Sequence, residues 1–127
     1  MELSTSALLI QGIFSAFEPL NLGLLIFGCL VGLFVGAMPG LGSVNGVAIL
    51  IPITFIVPPT AAIIFLAAVY YGAMYGGAIS SVMLGIPGAS TAVATVFDGR
   101  PLAQKGEAMT SLTAAAVGSF VGGTVSV

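Results

Sequence analysis

Apolar residues in this chain come in long unbroken runs, with no alternation between polar and apolar positions. LNLGLLIFGCLVGLFV (20–35), VAILIPITFIV (47–57) and TAAIIFLAAVYYGAM (60–74) are the clearest. No Asp, Glu, Lys, Arg or His stands between Glu18 and Asp98. As continuous helix, that stretch would measure roughly 120 Å at about 1.5 Å per residue, three or four crossings of a hydrocarbon layer about 30 Å thick. A membrane β-barrel needs a period of two, which is missing here, so backbone groups in lipid must pair within helices. The pattern predicts an all-α, polytopic helical membrane protein.

Proline and glycine punctuate the runs. Residues 1–18 place Leu8, Leu9, Gly12, Ile13, Ala16 and Phe17 at helical spacing and predict a leading or interfacial helix. The transmembrane region 19–127 divides into apolar pieces at about 20–37, 41–57, 59–85, 89–97 and 108–127, with Pro59 suited to a first helical turn. The charged segment DGRPLAQKGE (98–107) predicts a solvated loop, since Asp98-Gly99 and Arg100-Pro101 are ordinary turn chemistry. It holds both cations, Arg100 and Lys105, which by the positive-inside rule places it on the cytoplasmic side. The run GSFVGGTVSV carries no stop signal and predicts an N-terminal piece of a larger protein.

Composition narrows the function. Hydrophobic residues make up 58% of the 127 positions and charged residues 5%, against about 25% charged in a soluble domain. Two cations cannot form a phosphate-binding stripe, so nucleic acid is excluded as a partner. With no histidine and one cysteine, Cys29, the chain offers neither a disulfide framework nor a Cys/His metal site. Cys29 reads as a packing residue within an apolar run. Ser43, Ser80, Ser81 and Ser90 have no base between residues 19 and 97 to activate them, so the chain is not read as an enzyme.

Glycines recur every fourth residue at 28, 32, 36 and 40, again at 72 and 76, and at 118 and 122. Such stripes let helices approach closely in lipid and predict tight packing between spans or onto further chain. GAMPGLGSVNG (36–46) is different, because proline in a helix interior costs about 3 kcal/mol. A helix broken at Pro39 exposes the amides of the piece that follows, which begins with Ser43, Val44 and Asn45. Those amides carry the positive end of a helix dipole and form an anion site without a charged side chain. GIPGAST (85–91) repeats the device, with Pro87-Gly88 followed by Ser90 and Thr91. Each motif alone reads more readily as a loop between spans. As a pair in a charge-free stretch, the two are the mark of a transporter's discontinuous helices and substrate site. Tyr71 and Tyr75, one turn apart, need partners at that depth, either a neighbouring helix or a polar cavity and its ligand.

GLFVGAMPGLGSVNGVAILIPITF, then PPTAAIIFLAAVYYGAMYGGAISSVMLGIPGASTAVATVFDGRPLAQKGEA, then a small-residue span ending SFVGG, resembles the start of the large membrane subunit of the tripartite tricarboxylate transporters, the TctA family. The resemblance covers about residues 20–123. It departs at Arg100, where an aromatic is more usual, and at Ala89, where Thr or Glu often stands; the latter leaves substrate preference open. The resemblance implies a secondary transporter of the bacterial inner membrane, with no cofactor or bound metal, driven by a gradient of Na⁺ or H⁺. It implies as partners a small membrane subunit and a periplasmic solute-binding protein that delivers citrate or another carboxylate. By similarity, Pro39, Gly40, Leu41, Gly42 and Ser43 match one substrate motif, and Pro87, Gly88, Ala89 and Ser90 the neighbouring one. Three alternatives stay open: an accessory membrane subunit whose Pro-Gly breaks are only kinks, an ion channel, and, least favoured, an intramembrane enzyme.

Overall fold

The computed structural model describes residues 4–127. It is all helical among these residues: α1 (Thr5–Ala16), α2 (Pro19–Ala37), α3 (Gly42–Leu50), α4 (Pro59–Leu84), α5 (Val93–Gln104) and α6 (Ala108–Val125). Two 3₁₀ turns, Ile51–Ile56 and Ser90–Ala92, precede α4 and α5. Residues 1–3 of the leading segment lie outside the described residues, and α1 takes up Thr5–Ala16 of the rest. Three helices, α2, α4 and α6, are long and apolar enough to cross a bilayer. Large apolar side chains, Phe34, Phe55, Phe97 and Phe120 among them, point outward, as lipid-facing surfaces require.

Pro19 and Pro59 each occupy the first turn of a helix, where the missing N–H is no loss. Asn21 is buried and donates from Nδ2 to the Ser15 carbonyl at 2.6 Å, tying the end of α1 to the start of α2. The core lies mainly along α4, at Ala61, Phe65, Ala68, Val69, Ala73 and Val82. It is made by α2 lying on α4. A Cβ added to Gly28 would stand 2.8 Å from the Phe65 carbonyl oxygen; one on Gly32 would collide with Val69, and one on Gly36 with Ala73. Seen from α4, Gly72 meets the Cys29 carbonyl and Gly76 that of Leu33. Both glycine stripes therefore face one another. Gly40 falls outside its expected stripe, because α2 has already ended at Ala37. Nothing lies within 4 Å of a Cβ built on Gly118 or Gly122 among the described residues, so that stripe packs on none of them.

The paired positions advance together, 28 with 65, 32 with 69 and 36 with 73, so α2 and α4 run in the same direction. The chain between them must therefore return. By the same offset Pro59 stands level with Leu22, some 22 Å back along α2 from Ala37 at about 1.5 Å per residue. The nine residues of α3 and the six of the 3₁₀ turn supply this return, about 13 Å and about 12 Å of rise respectively. Gly46 packing on the Val35 side chain places α3 back alongside α2. Segment 20–57 is thus a hairpin in which the second arm is half α-helix and half 3₁₀, with Pro52 at the change.

After α4 the chain doubles back again. Gly85 caps α4 in the left-handed conformation, φ 72°, donating to the Ser81 carbonyl at 3.1 Å. Gly88 then lies back at the level of Gly77 and Ser80. From there α5 crosses obliquely to the end of α4, and α6 runs back along α4 with the Tyr75 hydroxyl donating to the Leu112 carbonyl at 3.1 Å.

The charged segment departs from its expected form. Asp98–Gln104 continues α5 without a break at Phe97, and only Lys105, Gly106 and Glu107 form a loop. Packing overrides the turn propensity of Asp98-Gly99 and Pro101. Gly99 is buried against Val82 and Ser111, where a Cβ would stand 2.7 Å from Val82 Cγ2. The Arg100 guanidinium donates to the Met83 carbonyl, in the last turn of α4, and its stem lies along Gly85. A cation at a helix C-terminus satisfies an orphan carbonyl and the dipole together. Arg100→Gln is expected to destabilise the full-length subunit by about 1 kcal/mol, because a neutral amide keeps neither contribution in full. Thermal unfolding in detergent measures it, and an unchanged midpoint would mean that Arg100 is merely solvated.

Candidate functional site

The two Pro-Gly motifs come together. Met38 is extended (φ −77°, ψ 117°) ahead of Pro39, which stops α2. Gly40 (φ 85°) and Gly42 (φ 70°) then turn the chain through left-handed backbone, which costs a residue with a Cβ roughly 1–2 kcal/mol. α3 starts at Gly42 with no side-chain cap. The amides of its first turn, Gly42, Ser43 and Val44, have no acceptor within the helix. On the other side, Gly88 is buried with its backbone against the Gly36 carbonyl, and the Ser90–Ala92 turn also lacks a side-chain cap. A Cβ on Gly42 would stand 3.8 Å from the Gly88 carbonyl oxygen, so the two turns face each other at van der Waals range.

Between them is a cavity of about 320 Å³, lined by residues 40–45 and 87–90. Of the residues expected from sequence, it gathers Gly40, Leu41, Gly42, Ser43, Asn45, Pro87, Gly88, Ala89 and Ser90, and adds Val44. Pro39 shapes the turn but stays outside the lining, and Thr91 lines a neighbouring cavity instead. No charged side chain borders the site. Asn45 and Ser90 are exposed, whereas Ser43 is buried and donates to Met74 Sδ at 3.4 Å. The volume lies at the small end of the range for ligand sites, about 300–1,000 Å³.

Tyr71 and Tyr75 face a second cavity, about 460 Å³, between α4, α5 and α6. Four residues positioning the site carry no signal of their own in the sequence. Gly77 gives Gly88 room to approach, with Ser80 beside it. The buried Ser81 hydroxyl holds the returning chain at the Ala92 carbonyl, 3.1 Å away. Met74 lies between the cavities. The Gly76-Gly77 pair followed by Ser80-Ser81, one turn on, is the pattern that marks this face of α4.

Residues 22–127 match the model of the family described as "Tripartite tricarboxylate transporter TctA family". The chain is 40% identical over 114 residues to an uncharacterized 52.8 kDa protein in the TAR-I ttuC' 3' region of Agrobacterium vitis, an alignment covering 90% of this chain. It spans 23% of that relative's length. No solved structure matches. With helices as its sole regular elements among the described residues, and matched over residues 22–127, the chain belongs to the TctA family.

Proposed function

We propose that the chain belongs to a secondary active transporter that takes up tricarboxylates or related carboxylates across the bacterial inner membrane. The cavity between the two Pro-Gly turns holds the anion. One observation carries the reading: two uncapped helical starts open onto one uncharged cavity. A helix N-terminus contributes about 0.3–2 kcal/mol toward a partly buried negative charge. Asn45 and Ser90, both exposed on the lining, add donors that pick out carboxylate oxygens. Binding by dipoles alone is weak enough to permit release on the far side, as a carrier needs.

A gradient of Na⁺ or H⁺ drives the cycle, with carbonyls freed at the breaks available to a cation. A small membrane subunit accompanies the large one, and a periplasmic binding protein delivers the carboxylate. The end carrying Arg100 and Lys105 faces the cytoplasm.

Vesicles holding the full-length subunit and its partners are expected to accumulate labelled di- or tricarboxylate only with the binding protein and an imposed Na⁺ or H⁺ gradient. Absence of uptake under every gradient would overturn the reading.

A further inference from the structure

The cavity between α4, α5 and α6 has a chemistry that helix packing leaves unexplained. Tyr71, Tyr75, Thr91, Thr95 and Ser119 bring five hydroxyls to a space of about 460 Å³ with no charged side chain on its walls. Tyr75 donates to the Leu112 carbonyl, and Thr91 makes a long contact to Met74 Sδ, 3.8 Å. The hydroxyls of Tyr71, Thr95 and Ser119 have no hydrogen-bond partner among the described residues (4–127). Three free hydroxyls, one from each of the three helices, would be costly against hydrocarbon. Water or an anion with several acceptor oxygens satisfies them.

Its position ties this space to the Pro-Gly site. Ser90 lines one cavity and the next residue, Thr91, lines the other. Met74 stands between, its sulfur taking the Ser43 hydroxyl from the first and the Thr91 hydroxyl from the second. The partition is one flexible, unbranched side chain, which changes rotamer readily.

We propose that the hydroxyl-lined cavity is a second compartment of the carboxylate path, divided from the Pro-Gly site by Met74. This rests on the transporter reading above. The carboxylate passes between a site of bare amides and one of hydroxyl donors, and both lack a fixed positive charge that would trap it.

The test uses the full-length subunit with native cysteines replaced, in vesicles with its partners. Single cysteines at Ser119→Cys and Ala115→Cys report the second cavity, and Asn45→Cys reports the first. Each is labelled with a small membrane-impermeant thiol reagent, with and without citrate or malate. The proposal expects labelling at all three, slowed several-fold by whichever carboxylate is transported. Protection at Asn45→Cys with none at Ser119→Cys and Ala115→Cys would overturn the second compartment and leave the transporter reading standing. Lack of labelling at both of those positions would do the same. Protection at none of the three would overturn both. Met74→Phe, which thickens the partition, is expected to cut uptake several-fold at an unchanged amount of subunit in the membrane. Unaltered uptake would remove Met74 from the path.

Discussion

Gly88→Ala is expected to lower carboxylate uptake by more than about tenfold while the subunit still reaches the membrane. Its backbone is not in the left-handed region, so the demand for glycine here is steric. A methyl group at this position would overlap the Gly36 carbonyl oxygen and stand 2.8 Å from both Gly77 Cα and Ser80 Oγ. Two of these three obstacles are backbone atoms and cannot rotate away. The Pro87-Gly88 turn would have to lift off α2, moving Ala89 and Ser90, which follow it, from the cavity they share with α3. Since each 1.4 kcal/mol is a factor of ten in binding, losing one hydrogen bond to the charged ligand, about 1.5–3 kcal/mol, suffices. Gly40→Ala meets a different obstacle: nothing lies within 4 Å, but φ is 85°. Asparagine, which tolerates that conformation, should restore at position 40 what alanine loses, whereas no side chain should restore position 88. Labelled uptake per amount of subunit measures both. Wild-type uptake by Gly88→Ala would reduce the breaks to kinks and favour an accessory subunit.

Gly36→Val is expected to destabilise the full-length subunit by about 3 kcal/mol, the upper part of the usual range for overpacking a tight interface. Even a single methyl at Gly36 would overlap the backbone of Ala73, and valine adds two more. Gly23→Ala in the same helix is the control. Nothing lies within 4 Å of its added Cβ, and removing a helical glycine gains up to about 1 kcal/mol. Thermal unfolding in detergent compares the two. Equal midpoints would show that the α2–α4 contact contributes nothing to stability.

Much of this architecture was legible from residue types. Pro19 and Pro59 mark helix starts, and the four-residue glycine spacing marks the face on which α2 meets α4, because only glycine admits a carbonyl so close. The meeting of the two Pro-Gly turns was legible only as a pair of similar motifs. Hydropathy carries no direction, so the parallel course of α2 and α4, and the returning hairpin it forces, had no sequence signal. The helical course of 98–104 was hidden because local turn chemistry at Asp98-Gly99 and Pro101 points the other way, while contacts of Gly99 and Arg100 with distant residues decide it. Met74 was hidden for a related reason. One methionine between two tyrosines looks like any other apolar residue until the fold sets Ser43 and Thr91 beside its sulfur.

The glycine contacts between α2 and α4 also limit how the molecule can rearrange. Main chain sits in main chain at three successive turns of α2, so neither rod can slide or roll without a collision. The pair must behave as a fixed spine. In the transport cycle proposed above, movement within this part of the molecule falls to what hangs from that spine: the short α3, the re-entrant Pro87-Gly88 turn, and α6, whose faces are mostly exposed.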